Sequence, residues 1–323
     1  MPRQVAIGFP AALSADYNRL MRPLYRWQLR SRALELGQRT FIMGVVNVTP
    51  DSFSDGGQFL DPERAVEHGL RLLDEGADIL DIGGESTRPG ARVAAEAGSS
   101  VTEDEELRRV IPVVQGVLCA SPGAIISVDT YKSGVARAAL SAGAEIVNDV
   151  SAFTWDPQMA RICGVLQCGV VLMHTRGQPQ EWRNLPFAND ITSLVVHDLA
   201  NRVQMAFAGG VSRDRIVLDP GFGFGKNFEE NYPLLAHFDQ LHRMGFPLLA
   251  GTSRKSFIGR TVGKRASKDA PPAERLYGSL AAMVASILLG AHIVRVHDVK
   301  PAVEAAAVAD EVLAARNSYF GKP

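Results

Sequence analysis

Eight times after Phe41, a short apolar run gives way to a polar or glycine-rich stretch and then to residues spaced like an amphipathic helix. The runs are Phe41–Val46, Ile79–Ile82, Ile125–Val128, Glu145–Val147, Gly169–Met173, Ile216–Leu218, Pro247–Ala250 and His292–Val296. They are continuous and β-branched rather than alternating, the pattern of parallel strands buried on both faces. Eight strand–helix units predict an α/β protein with a closed (β/α)8 TIM barrel, and a chain of 323 residues accommodates one. An open, doubly wound sheet is the alternative that the same alternation allows.

The intervening helices carry their own start and stop signals. Asp61-Pro62 and Asp156-Pro157 read as N-caps followed by proline at the first helical position. Ala65, Val66, Gly69, Leu70 and Leu73 share a face, and Gly76 ends that helix. Thr102 and Glu105 have capping-box spacing. Three segments fall outside the pattern. Residues 1–39 read as an N-terminal extension, with a short helix expected around Leu20–Leu36, ahead of a barrel domain over residues 40–323. Ala91–Ser100 is expected to be a loop insert, and Gly259–Pro272 a long connection.

Composition narrows the partners. A formal net charge of −1 provides no global basic field, so neither nucleic acid nor an anionic membrane is expected as a partner. The apolar stretch Ala281–Leu289 is too short to span a bilayer, and the N-terminus lacks a continuous apolar signal core. Cys119, Cys163 and Cys168 include no CxxC pair; Cys119 and Cys163 lie in apolar surroundings and are expected to be reduced and buried. A cytoplasmic setting is expected.

In a barrel of this kind, chemistry sits at the C-terminal ends of the strands. Those ends carry Asn47, Asp81, Asp129, Asn148 with Asp149, His174, Asp219, Arg254 with Lys255, and Arg295 with His297. Any single strand-end Asp could merely cap the next helix, but eight polar ends converging on one rim point to a site. GFGFGK (Gly221–Lys226) lacks the GKS or GKT ending of a phosphate-binding loop and reads as a glycine turn that lets backbone approach a ligand. No His/Cys spacing fits a structural zinc site.

The wording of these rims resembles the dihydropteroate synthase family. GVVNVTPDSFSDGG (Gly44–Gly57) and DIGGESTRPG (Asp81–Gly90) resemble that family's first two loops. ISVDT, IVNDVS, LDPGFGFGK, GTSRKSFIG and VRVHDV match its later blocks in order, so the resemblance runs from Phe41 to about the C-terminus.

The resemblance implies a folate-pathway transferase that condenses a dihydropterin diphosphate with 4-aminobenzoate by an SN1-like route. Asp129, Asn148 and Asp219 would hold the pterin, with Lys255 as donor and Val150, Met173 and Phe224 as walls. Asn47 would ligate Mg2+, with Arg295 and His297 taking the diphosphate; those two leave the last strand at alternate positions and share one side of the chain. Phe53, Thr87 and Pro89 would form the aminobenzoate slot, Ser256 with the adjacent helix N-terminus its carboxylate anchor, and Asp55 and Arg88 a closing pair. The same resemblance implies a homodimer. A pterin-dependent methyltransferase and a non-catalytic pterin-binding paralogue remain as alternatives; the first has no need for the Asn47, Ser256 and Arg295/His297 positions.

Overall fold

The computed structural model describes residues 22–49, 61–86 and 101–320, with side chains to 316, and eight of its ten strands form one parallel sheet. In chain order the elements begin with a hairpin, β1 (Tyr25–Gln28) and β2 (Ala33–Leu36), followed by β3 (Phe41–Asn47), α1 (Pro62–Asp74), β4 (Ile79–Gly83) and α2 (Glu103–Ala120). Then come β5 (Ile126–Asp129), α3 (Ser133–Ser141), β6 (Ile146–Asp149), α4 (Met159–Leu166), β7 (Gly169–Met173), α5 (Ile191–Ala208), β8 (Ile216–Asp219) and α6 (Phe228–Ala236). The chain ends with β9 (Leu249–Ala250), α7 (Ser256–Gly263), α8 (Leu276–Leu288), β10 (Ile293–Val296) and α9 (Val299–Phe320). Hydrogen-bonded order is β8-β7-β6-β5-β4-β3-β10-β9. A bridge between Leu218 and Leu248 joins β8 to the β9 side, with Leu218 N donating to Pro247 O at 3.0 Å. The sheet therefore closes on itself, as the eightfold alternation predicts, and the open-sheet alternative is excluded.

Alternation along each strand sorts side chains into two layers. Ile42, Val46, Val128, Val147, Val170, Leu172, Leu218 and Val294 face the helices and join the main core. Met43, Ile79, Ile146, Val171, Val217 and Ile293 point into the barrel and form a second cluster with Trp27, Leu29 and Leu36. Burying both faces is what made the strands read as unbroken apolar runs.

That second cluster corrects the expectation of a helix around Leu20–Leu36. Tyr25, Trp27 and Leu29 repeat every second residue, and Pro23 breaks helical continuity, so the segment folds as a hairpin. Trp27 and Leu29 are fully buried against the barrel floor. Trp27 Nε1 donates to Arg215 O at 2.9 Å, and Ser31 N donates to Glu145 Oε2 at 2.8 Å.

The caps follow the sequence in two of three places. Asp61 accepts from Glu63 N with Pro62 at the helix start, and Thr102 Oγ1 accepts from Glu105 N at 3.2 Å. Asp156 does not start a helix at Pro157: its oxygens accept from Gln158 N and Ser133 N, both at 2.8 Å, and α4 begins at Met159. Two other expectations change. Cys119 is exposed, because it falls on the solvent side of the last turn of α2, while Cys163 and Cys168 are buried. The Gly259–Pro272 connection is not wholly irregular, since α7 extends into it as far as Gly263. The Ala91–Ser100 insert lies outside the described residues.

Candidate active site

The two-residue period that fills the barrel with apolar side chains also builds its polar rim. Inward positions step from Ile79 to Asp81, Ser127 to Asp129, Ile146 to Asn148, Val171 to Met173, Val217 to Asp219 and Ile293 to Arg295. Six strands thus deliver one side chain each to a common level just above the core. Asp129, Asn148, Val150, Met173, Asp219, Phe224, Lys255 and Arg295 line a single cleft there, with Gly221, Phe222 and Gly251 as its backbone-rich side.

Internal hydrogen bonds orient the polar groups. Arg295 Nε donates to Asp81 Oδ2 and Nη2 to Asp129 Oδ2, both at 2.6 Å. Asn148 Nδ2 donates to Asp81 Oδ2 at 2.9 Å, which fixes which end of that amide is the nitrogen. Asp219 Oδ1 accepts from Gly221 N at 2.7 Å. Each of Asp129 and Asp219 therefore keeps one oxygen free of these bonds, and three N–H bonds of Arg295 remain for a ligand. Lys255 Nζ stands 3.8 Å from the centroid of the Phe224 ring, a cation–π contact against the apolar wall.

Charges are crowded into a poorly solvated place, and their protonation responds. Burial pushes the Asp129 carboxyl up to about 7 despite Arg295 beside it, and the Asp219 carboxyl up to about 6. Burial, followed by repulsion from Arg295, brings the Lys255 ammonium down to about 7. Burial also works against the Arg295 charge, but Asp81 and Asp129 more than offset it and raise the guanidinium above its ordinary value. An opposite charge about 4 Å away is worth about 4 kcal/mol at an effective dielectric near 20, so the arginine is the electrostatic keystone of the cleft. Groups poised near neutrality in a cleft are the mark of a functional site.

The other rim positions divide. Asn47 ends β3, half-buried, and Ser256 is exposed as the first residue of α7. His297 Nδ1 lies 3.0 Å from Ser253 Oγ, which also accepts from the His297 backbone N at 3.2 Å. The two contacts fix the orientation of the imidazole at the rim. Asp149 caps its own turn, accepting from Ser151 N and Phe153 N, and Arg254 is committed to Asp298 at 2.5 Å. Neither lines the cleft. His174 lies beneath the glycine turn, 2.9 Å from Lys226 Nζ. Phe53, Asp55, Thr87, Arg88 and Pro89 lie outside the described residues. Sequence reading undervalued Asp81, which holds both Arg295 and Asn148, and Ser253, which orients His297; Asp81 looked like any strand-end cap until the register turned it inward.

The chain resembles known proteins over most of its length. Residues 43–297 match the pterin binding enzyme family. Dihydropteroate synthase of Bacillus subtilis is 42% identical over 281 residues, covering 87% of this chain and 91% of that protein. The Escherichia coli dihydropteroate synthase is 41% identical over 277 residues, with 86% and 93% covered. A structure of Xanthomonas albilineans dihydropteroate synthase with 4-aminobenzoic acid superposes with a TM-score of 0.79 at 43% identity, covering 90% of this chain and 99% of that one. The same enzyme in complex with 7,8-dihydropteroate gives a TM-score of 0.76 at 42% identity, with the same coverage.

Proposed function

The chain belongs to the dihydropteroate synthase family of pterin binding enzymes, and on that premise we propose that its strand-end cleft holds a dihydropterin diphosphate while 4-aminobenzoate attacks from the rim. It is a transferase of folate synthesis. One observation carries the assignment of residues: Asp129, Asn148 and Asp219 meet in one cleft with Lys255 and Arg295, the two carboxylates, the amide and the guanidinium each hydrogen-bonded by the protein on one side and Lys255 held against the Phe224 ring.

A dihydropterin presents an edge of paired donors and acceptors. Asp129 and Asp219 accept from its N–H groups, Asn148 reads the edge between them, and Lys255 donates to a ring acceptor. Val150, Met173 and Phe224 clasp the ring faces. Bond breaking between the exocyclic carbon and the diphosphate oxygen leaves positive charge delocalised into the ring and negative charge on the departing group. Asp129 and Asp219 stabilise the first; Arg295 and His297 receive the second. The arylamine nitrogen then bonds to the exocyclic carbon and sheds a proton, so no covalent enzyme intermediate forms.

Asn47 contributes a hard amide oxygen at the rim, a donor that suits Mg2+, which favours oxygen ligands and retains several waters. When bound, Mg2+ supplies charge neutralisation for the diphosphate. Ser256 and the first N–H groups of α7 receive the aminobenzoate carboxylate, as suits an anion at a helix N-terminus. By the family resemblance, Phe53, Thr87 and Pro89 complete that slot and Asp55 pairs with Arg88. The reading extends to a cytoplasmic homodimer formed through the outer face of α8, where Tyr277 is 83% exposed.

Equilibrium binding tests the assignment. Calorimetry with an oxidised 6-hydroxymethylpterin should show one site that Asp129→Ala and Asp219→Ala each abolish, and Mg2+ should tighten inorganic diphosphate binding to the wild type but not to Asn47→Ala. Pterin binding untouched by either aspartate change would sink the site assignment.

A further inference from the structure

The ammonium of Lys226 lies buried beneath the glycine turn, and the proposed chemistry does not use it. Lys226 Nζ donates to Gly221 O at 2.8 Å, to Phe224 O at 3.2 Å and to His174 O at 3.4 Å, and sits 2.9 Å from His174 Nδ1. It makes no ion pair with a carboxylate among the described residues. Its hydrogen-bond partners are otherwise backbone carbonyls and a neutral imidazole, since burial holds His174 down to about 3 while Nε2 faces Asp198 Oδ2 at 3.1 Å. Burial brings the Lys226 ammonium itself down to about 7, with Asp219 and Glu230 favouring its charge from beyond hydrogen-bond reach and Lys255 and Arg176 opposing it.

Burying an ammonium without a close counter-ion costs several kcal/mol, and methionine would fill the same space at far less cost. The buried donors of Lys226 must therefore have a use, and the turn shows it. Gly221, Gly223 and Gly225 all adopt positive φ, at +67°, +81° and +64°, so successive carbonyls can converge beneath the loop. A Cβ at Gly221 would collide with the carbonyl of His174. Carbonyls aimed at one point repel one another unless a cation sits there, and an ammonium supplies three donors in a tetrahedral array. The turn so held controls the cleft: Gly221 N fixes Asp219 Oδ1, and Phe224 forms the wall against which Lys255 stacks. Asn231 completes the arrangement from α6 by accepting from Gly223 N at 2.7 Å.

We propose that Lys226 is a positioning residue for pterin recognition: its ammonium pins the glycine turn that aims Asp219 and Phe224 into the cleft. This rests on the pterin-site reading above. It explains why a GFGFGK sequence without a phosphate-loop ending carries its lysine, which points down into the turn and away from any ligand.

The test compares wild type, Lys226→Met and Lys226→Arg after circular dichroism has established that each is folded. Lys226→Met should weaken 6-hydroxymethylpterin binding at least tenfold and raise KM for dihydropterin diphosphate in parallel, while KM for 4-aminobenzoate stays within twofold. Lys226→Arg should not rescue binding, because a planar guanidinium cannot cap the same carbonyls. Pterin binding by Lys226→Met within twofold of wild type overturns the inference, as does an equal rise in both KM values. If Lys226→Met does not fold, Lys226→Gln, whose planar, uncharged amide lacks the three-donor array of the ammonium, takes its place under the same criteria. Failure of the wild type itself to bind pterin would overturn the site reading and this inference together, an outcome distinct from unchanged binding by the variant.

Discussion

Arg295 Nη2 donates to Asp129 Oδ2 at 2.6 Å, tying together the ends of β10 and β5, two strands that are not neighbours in the barrel. With Nε on Asp81, the guanidinium lies between two acids at once, a fork that lysine's single ammonium does not reproduce. Arg295→Lys should therefore lower kcat/KM for the pterin substrate by roughly 10²-fold while the protein stays folded. Steady-state kinetics beside a thermal melt check this; a loss of less than about threefold contradicts the assigned role.

The crowding of the cleft predicts a pH profile. Asp129 and Asp219 take up protons as pH falls through about 7 and about 6, and lose their hold on a cationic ring. Lys255 loses its proton as pH rises through about 7, and its donor strength with it. Because kcat/KM reports free-enzyme groups, the wild-type profile should be bell-shaped with its maximum near neutrality, and Asp219→Asn should lose the lower part of the acid limb. A wild-type profile flat from about pH 5.5 to 8.5 contradicts this.

The same groups cost stability. Asp219 has a raised value in the folded protein, so its contribution is fully present below the unfolded value of ~3.9 and is lost as pH rises through about 6. Asp219→Asn, whose carbonyl can still accept from Gly221 N, should therefore be more stable than wild type at pH 8, on the order of 2 kcal/mol, with the margin closing towards pH 4. Denaturant unfolding at both pH values measures it; a variant less stable at pH 8 than at pH 4, relative to wild type, contradicts it.

Most of the barrel and half of the site were legible in the sequence, for one physical reason. Strands buried on both faces leave few polar positions until the barrel ends, Ser127 being one, so an apolar run points at its own rim residue, as Val217 points at Asp219. What was illegible depended on partners distant in sequence. Asp81 shows its importance only through Arg295, 214 residues away. The β1–β2 hairpin was misread because Leu20 and Leu24 have helical spacing, while the alternation of Tyr25, Trp27 and Leu29 gains its meaning only when the barrel floor claims Trp27. Lys226 carried a signal in glycines at every second position before it, but only the converging carbonyls give that spacing meaning.

The floor of the barrel gives a prediction separate from the chemistry. Trp27 is fully buried at the end opposite the cleft, so Trp27→Ala should cost about 3–5 kcal/mol of stability and leave kcat within about twofold at temperatures where the variant is folded. A large fall in kcat with normal stability would show that the floor and the rim are coupled.

The central claim is that this cleft transfers a dihydropterin group to an arylamine without a side-chain nucleophile. It is tested most directly by incubating the purified protein with dihydropterin diphosphate, Mg2+ and 4-aminobenzoate while following diphosphate and dihydropteroate together. The account predicts equimolar formation of both, reduced at least roughly 10²-fold in Asp129→Ala and little changed in Cys168→Ser. Tight pterin binding with no diphosphate released, or unimpaired turnover by Asp129→Ala, would contradict it.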